Sequence, residues 1–173
     1  MVLPISVKIC ASYGVSLLRH KWFVYQAGKG VVSNWRLFKH DASKFLPSEF
    51  WPYAVFFEHV NWGVPRGVRK ELIGPRFKEA VRLHKGRNDH HYEYWELSRG
   101  GLIGHMPTEV IEEMIADWFG AARAYNGSWP LDTETWGWFQ GEGQDVLERM
   151  SPENRETTLR TIEATQERLR GRA

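Results

Sequence analysis

Five of the seven histidines in this 173-residue sequence sit among acidic, basic and amide groups, and these are the residues best equipped for chemistry. The string FKHDASKF places His40 beside Asp41, with Lys44 close behind. A neutral imidazole and a carboxylate side by side are good ligands for a divalent metal. On a helix, His40 and Lys44 share a face at a spacing of four, and Asp41 and Lys44 are three apart. Lys44 cannot ligate while protonated, but it can offer its charge to an anion held near a metal. The plainer alternative is a surface ion pair between Asp41 and Lys44, worth under about 1 kcal/mol.

A second cluster, RLHKGRNDHHYEYW, carries His84, Asn88, His90 and His91. If one helix runs through it, His84, Asn88 and His91 form a stripe. His84 and His91 would then be about 10 Å apart along the axis, suited to two neighbouring ions or to one ion and a substrate. His90 would point elsewhere, with Arg87 and Tyr94 as its neighbours at helical spacing. An ordinary polar face is the alternative, and Gly86 is a point where the helix could break. A third cluster, VIEEMIADWF, sets Glu113 and Asp117 four apart on one face, where a cation would relieve their mutual repulsion. Solvation at the helix surface would relieve it too. Glu112 falls on the other side. His20, in LLRHKWF, gains meaning only from the order of the whole set.

Charge adds to this reading. Between Val64 and His91 there are eight basic residues (Arg66, Arg69, Lys70, Arg76, Lys78, Arg82, Lys85, Arg87) against three acids, Glu71, Glu79 and Asp89. That surplus of +5 borders the histidines and favours an anionic substrate. Lys85 and Arg87 are the best placed to contact it, with arginine suited to bidentate phosphate binding. Asn88 joins them as a candidate substrate contact. The nine tryptophans read mostly as core: Trp22, Trp35, Trp95 and Trp118 lie at helical spacing with apolar neighbours, and Trp129, Trp136, Trp138 and Phe139 would pack the last helix. Cys10 reads as a small core residue.

These groups must be positioned by helices, because apolar residues recur at helical spacing and no alternating strand pattern persists. The expected helices are about Ile5–Ala27, Ser33–Phe45 with Ser33 as N-cap, one opened by Pro47 and shortened or bent by Pro52, and a long one from Pro75 to about Leu97. Three more follow: Pro107 to Asn126, a short one capped by Asp132 through Trp136 and Trp138, and Ser151-Pro152 to about Leu169. His59–Gly67 reads as a loop. The sum is an all-α, single-domain bundle of about six to seven helices. Residues 1–150 would form the metal-binding part, and 151–173, polar on most faces, a peripheral helix of the same domain.

Composition narrows the class further. The net charge of +2 argues against a dedicated nucleic-acid binder. No segment approaches the roughly 20 apolar residues of a spanning helix, so no membrane role is expected. The single cysteine excludes an intrachain disulfide and a cysteine zinc cluster, and fits a reducing, cytoplasmic compartment. A homo-oligomer is compatible with all of this.

The order His20, His40-Asp41, His84, His90-His91, Asp117 resembles the HD-domain superfamily, all-α proteins whose histidines and aspartates surround one or two metals. More narrowly, FKHDASKF, HKGRNDHHYEYW and EEMIADW resemble the motifs of a small phage and bacterial family, the domain of unknown function 5662 family. The resemblance spans roughly His20 to Trp118. It implies His20, His40, Asp41 and Asp117 as the core ligand set, with His84, His90 and His91 as candidates for a second metal; Glu113, from its own place on the helix face, is expected behind the ligands. Lys44 resembles the lysine of the HDxxK variant that faces a substrate anion. The gaps between His20 and His40, and between His84 and His90, are short for the better-known binuclear enzymes, so the pairing of histidines with metals stays open. The implied activity is a metal-dependent phosphohydrolase acting on a nucleotide or related phosphorylated small molecule in a bacterial or phage-infected cell. One or two divalent ions (Mn, Co, Mg, Zn or Fe) would activate water, Asp41 would bridge them, and Lys44 with Arg87 or Lys85 would offset phosphoryl charge. The same order also resembles the di-iron oxygenases of the superfamily. A third expectation is a non-catalytic phage or host-interaction protein stapled by metal.

Overall fold

The computed structural model describes residues 7–61, 67–68, 71 and 73–171. Among them are seven α-helices and no strand: α1 (Val7–Gly28), α2 (Asn34–Lys39), α3 (Pro47–Asn61), α4 (Gly74–Arg87), α5 (Thr108–Asn126), α6 (Gln144–Arg149) and α7 (Pro152–Arg170). Short 3-10 turns occupy Ala42–Phe45 and Tyr92–Trp95, and a π-helical turn, Phe139–Gly143, leads into α6. The fold is all-α, as the periodicity predicts.

The chain divides into two compact units. One comprises Met1–Arg19 and Asp41–Asn88; the other comprises His20–His40 and Asp89–Ala173. In the first, Ile9, Tyr13 and Leu17 recur every four residues along α1 and bury against Tyr53 and Ala54 of α3 and Ala80 of α4. Rings interlock there: Tyr53 meets Phe77 edge-on at 5.0 Å, and Phe56 stacks on Phe77 at 3.8 Å. Pro52 does not shorten α3. The carbonyl its missing N–H leaves unbonded belongs to Ser48, an exposed residue of the first turn that water can reach. The segment expected as a loop is therefore helical through Asn61, and residues 62–66 lie outside the described residues, as do Ile5, Arg66, Arg69 and Lys70.

In the second unit α5 is the central element. Val110, Ile111, Met114, Ile115, Trp118 and Phe119 are all buried, against Val24 and Ala27 of α1, Val146 and Leu147 of α6, and Ile162 and Leu169 of α7. The last helix is not peripheral. Asn154, Thr158, Thr165 and Gln166 are buried beside Ile162 and Leu169, so the polar residues that made it look solvated face inward and find partners. Asn154 Nδ2, for instance, donates to the Gly104 carbonyl at 3.0 Å. Ser151 caps α7 by accepting from the Asn154 N–H at 3.2 Å, with Pro152 at the first helical position. Ser151→Ala is expected to cost about 1 kcal/mol, or roughly 2–4 °C in thermal midpoint, measurable by calorimetry.

Three local expectations change. Asp132 caps a turn rather than a helix, its Oδ1 accepting from the Glu134 N–H at 2.8 Å, and the helical path begins two residues before the π turn. Trp22 and Trp35 are not core but 55% and 63% exposed; each shelters against a ring on its own helix, Tyr25 at 5.6 Å and Phe38 at 5.9 Å. Cys10 is only half-buried.

The two remaining changes bear directly on the chemistry. The helix expected over Ser33–Phe45 ends at Lys39, although Ser33 does cap it by accepting from the Arg36 N–H. Asp41 has φ 56°, the one non-glycine in the left-handed region among the described residues. Aspartate tolerates that conformation better than most residues, and here its side chain is fully buried and anchored by ion pairs. The helix from Pro75 ends at Arg87 rather than Leu97. Asn88 turns out with φ −120° and ψ 109°, and its side-chain amide donates to the His84 carbonyl at 2.7 Å, taking the acceptor that a further backbone N–H would have used.

Candidate metal centre

The breaks at His40–Asp41 and Arg87–Asn88 undo the expected helical stripes. His40 and Lys44 do not share a helix face, and His84, Asn88 and His91 do not line one stripe. Each unit instead builds its own cluster.

In the second unit, α1 supplies His20, the end of α2 supplies Arg36 and His40, the turn after α4 supplies Asp89 and His90, and α5 supplies Glu113 and Asp117. Glu113 and Asp117, one turn apart, face the same cluster. Glu113 is buried, not solvated, and Arg36 Nε donates to its Oε2 at 2.6 Å. His40 Nδ1 lies 3.0 Å from its Oε1, and His90 Nδ1 lies 3.3 Å from that same oxygen. Arg36 is held in turn by Asp89 Oδ1 at 2.7 Å. The other imidazole nitrogens turn toward Asp117. His20 Nε2 is 3.0 Å and His40 Nε2 3.5 Å from Oδ1, and His90 Nε2 is 4.0 Å from Oδ2. All three Nε2 atoms are shut off from solvent. His90, which helical spacing would turn away, is thus at the centre, its ring 4.4 Å from that of His40. His91 opens the following 3-10 turn with its ring 4.4 Å from His90.

Burial alone would push the carboxyls of Glu113 and Asp117 upward. The imidazoles of His40 and His90 beside Glu113, and of His20 and His40 beside Asp117, outweigh it and hold both well below the ordinary carboxylate range. Burial also works against the charge of Arg36, but Asp89 and Glu113 raise its pKa above the usual arginine value.

In the first unit, Asp41 and Lys44 do form the expected pair, Nζ to Oδ2 at 2.5 Å, but with Asp41 fully buried and Lys44 half-buried rather than both on the surface. Lys44 lies over the Tyr53 ring, 5.7 Å from its centroid. His84 Nε2 is 3.1 Å from Asp41 Oδ1, and its Nδ1 is 3.0 Å from Glu49 Oε2. Ser43 Oγ donates to Glu49 Oε2 at 2.8 Å and accepts from Asn88 Nδ2 at 2.7 Å. Arg87 Nη1 donates to Glu49 Oε1 at 2.6 Å. The two residues expected to contact substrate beside the histidines thus have structural work: Asn88 closes α4 and holds Ser43, and Arg87 neutralises Glu49. Lys85 is half-buried on α4.

Glu49, Arg36, Ser43 and Asp89 are the members that sequence reasoning missed. Glu49 stands in the first turn of α3, where an acid is explained by the helix dipole alone. Its only other signal is that the opening of α3 follows the HD pair closely.

The geometry defines an all-α protein in which His40, His84 and His90 are each held between a glutamate and an aspartate in its interior. The chain belongs to the Family of unknown function (DUF5662), which it matches over residues 11–164, a span that includes every residue of both clusters. No curated protein and no solved structure matches it.

Proposed function

We propose that the protein is a metal-dependent phosphohydrolase of HD type, acting on a nucleotide or a related phosphorylated small molecule. One observation carries this reading. The carboxylate of Glu113 can only accept, so Nδ1 of His40 and of His90 must be the protonated nitrogens. In the neutral rings Nε2 is then a lone pair, and it faces Asp117, another acceptor, at 3.5 and 4.0 Å. Two acceptors set against each other repel unless a proton or a cation lies between them. Three imidazoles and a carboxylate with no thiolate make a nitrogen-rich shell that suits zinc, cobalt, iron or manganese better than magnesium, which prefers oxygen.

His20, His40 and Asp117 would hold the ion, with His90 adding a donor. Each of the first three offers a ligand atom within 4.8 Å of the others. Asp41 and His84, which meet at 3.1 Å, are the candidates for a second ion. When bound, the ion lowers the pKa of a coordinated water toward neutrality and polarises a phosphoryl oxygen. The chain's own part is to orient the imidazoles, exclude bulk water from their Nε2 atoms and neutralise the anion. Lys44 brings a cation to Asp41, and Arg87 keeps guanidinium donors beyond those on Glu49 and Ser48. The described basic residues of α4, Arg76, Lys78, Arg82, Lys85 and Arg87, outnumber its single acid, Glu79, which favours an anionic substrate.

Elemental analysis of purified protein, then a nucleotide-hydrolysis panel with that metal under anaerobic conditions, tests the reading. Near-stoichiometric metal and phosphate release are expected. No metal after reconstitution overturns it, and iron with an oxygen-dependent spectrum reassigns the chain to the oxygenases.

A further inference from the structure

The two clusters share a design. In the second unit the order is Arg36, Glu113, His40 and His90, Asp117; in the first it is Arg87, Glu49, His84, Asp41. In each, an arginine nitrogen grips one glutamate oxygen at 2.6 Å. The other glutamate oxygen faces imidazole Nδ1, at 3.0 and 3.3 Å in one unit and 3.0 Å in the other. Imidazole Nε2 is left facing an aspartate, nearest at 3.5 Å and 3.1 Å respectively. Both glutamates are buried, Glu49 fully and Glu113 to within 3%.

The two functions open to such a glutamate are exclusive. As a metal ligand, Glu113 would share its ion with Nδ1 of His40 and His90, since those are the atoms it faces; His40, His90 and Glu113 are close enough together to allow that. As a hydrogen-bond acceptor it fixes Nδ1–H and commits Nε2 to the ion. Arg36 decides between these. It occupies Oε2 of Glu113 and places a full positive charge against the carboxylate, which opposes binding a second cation there. Arg87 does the same at Glu49.

We propose that Glu113 and Glu49 are positioning residues, not ligands: each is locked by an arginine and sets the tautomer and ring orientation of its histidines, so that His40, His90 and His84 all present Nε2. Glu113 sets two rings with a single oxygen, so its loss disorders two donors at once. This rests on the metal reading above, but the tautomer part can be read without metal.

The test compares wild type, E113A and R36M/E113Q. The double variant keeps an amide oxygen for Nδ1–H and removes the arginine that would be left facing an amide N–H. Proton–nitrogen NMR of metal-free protein is expected to show protected Nδ1–H resonances for His40 and His90 in wild type and R36M/E113Q, and to lose them in E113A. Zinc affinity should fall about 10–100-fold in E113A, the range for loss of a ligand's supporting partner, and recover in part in R36M/E113Q. The cobalt-loaded forms should keep the ligand-field bands of wild type. Shifted bands in both variants, or a glutamine variant as weak as alanine, would make Glu113 a ligand and overturn the inference. Missing Nδ1–H resonances in wild type overturn it too, whether or not metal binds. Intact resonances with no metal uptake overturn the metal reading alone.

Discussion

Asp117→Ala is expected to empty the proposed metal centre, with affinity falling on the order of 10²–10³-fold. Four-ligand zinc sites bind with about 10–16 kcal/mol, so one donor accounts for roughly 3–4 kcal/mol, and 1.4 kcal/mol is a factor of ten. Asp117 sits above that average, because it is the group that His20, His40 and His90 all face. Calorimetric titration with zinc reads the change, and a variant that binds as wild type does would remove Asp117 from the shell. The same substitution alters the acid limb of stability. The folded-state pKa of Asp117 lies below its unfolded value, so its contribution is complete above the ordinary carboxylate range near pH 4 and is lost as pH falls through the lower folded value. The metal-free variant should therefore lose less stability than wild type on acidification below about pH 4.

The types of the site residues were legible because their chemistry is rare: histidine beside aspartate, and three histidines close together. The body of α5 was legible because Val110, Ile111, Met114, Ile115 and Trp118 recur at helical spacing, and the starts of α2 and α7 because Ser33 and Ser151 are good caps. The breaks at His40–Asp41 and at Asn88 were not legible. Propensity lets a helix run through both, and what ends it are side-chain bonds: Asp41 to His84, distant in sequence, and Asn88 both to the His84 carbonyl one turn back and to distant Ser43. Glu49 was missed for the same reason, since its meaning lies in His84, 35 positions away. Glu113 looked solvated because a charge on an amphipathic helix usually is, and only Arg36, His40 and His90, from other parts of the chain, make its burial tolerable.

Gly120→Ala should damage the fold and the site together. A Cβ on Gly120 would lie 2.6 Å from Val24 Cγ2, 2.7 Å from Val24 N and 3.0 Å from Val24 Cα, so the obstacle includes the backbone of α1 and cannot rotate away. Helices α1 and α5 must separate instead. Such overpacking costs about 1–3 kcal/mol, toward the upper end when backbone must move. Alanine returns about 1 kcal/mol of helix propensity over glycine. The net loss is about 2 kcal/mol, or roughly 4–8 °C in thermal midpoint for a chain of this size. The close approach also positions the candidate centre: His20 lies one turn before Val24 on α1, Asp117 lies three residues before Gly120 on α5, and the two side chains meet at 3.0 Å. Forcing the helices apart lengthens that contact, so zinc affinity should fall in Gly120→Ala although no ligand is changed. Gly14→Ala is the control. It lies inside α1 with nothing within 4 Å of the added carbon, so the same chemical change should raise stability by up to about 1 kcal/mol and leave zinc binding alone. Equal effects from the two substitutions would mean that the α1–α5 approach does not position His20.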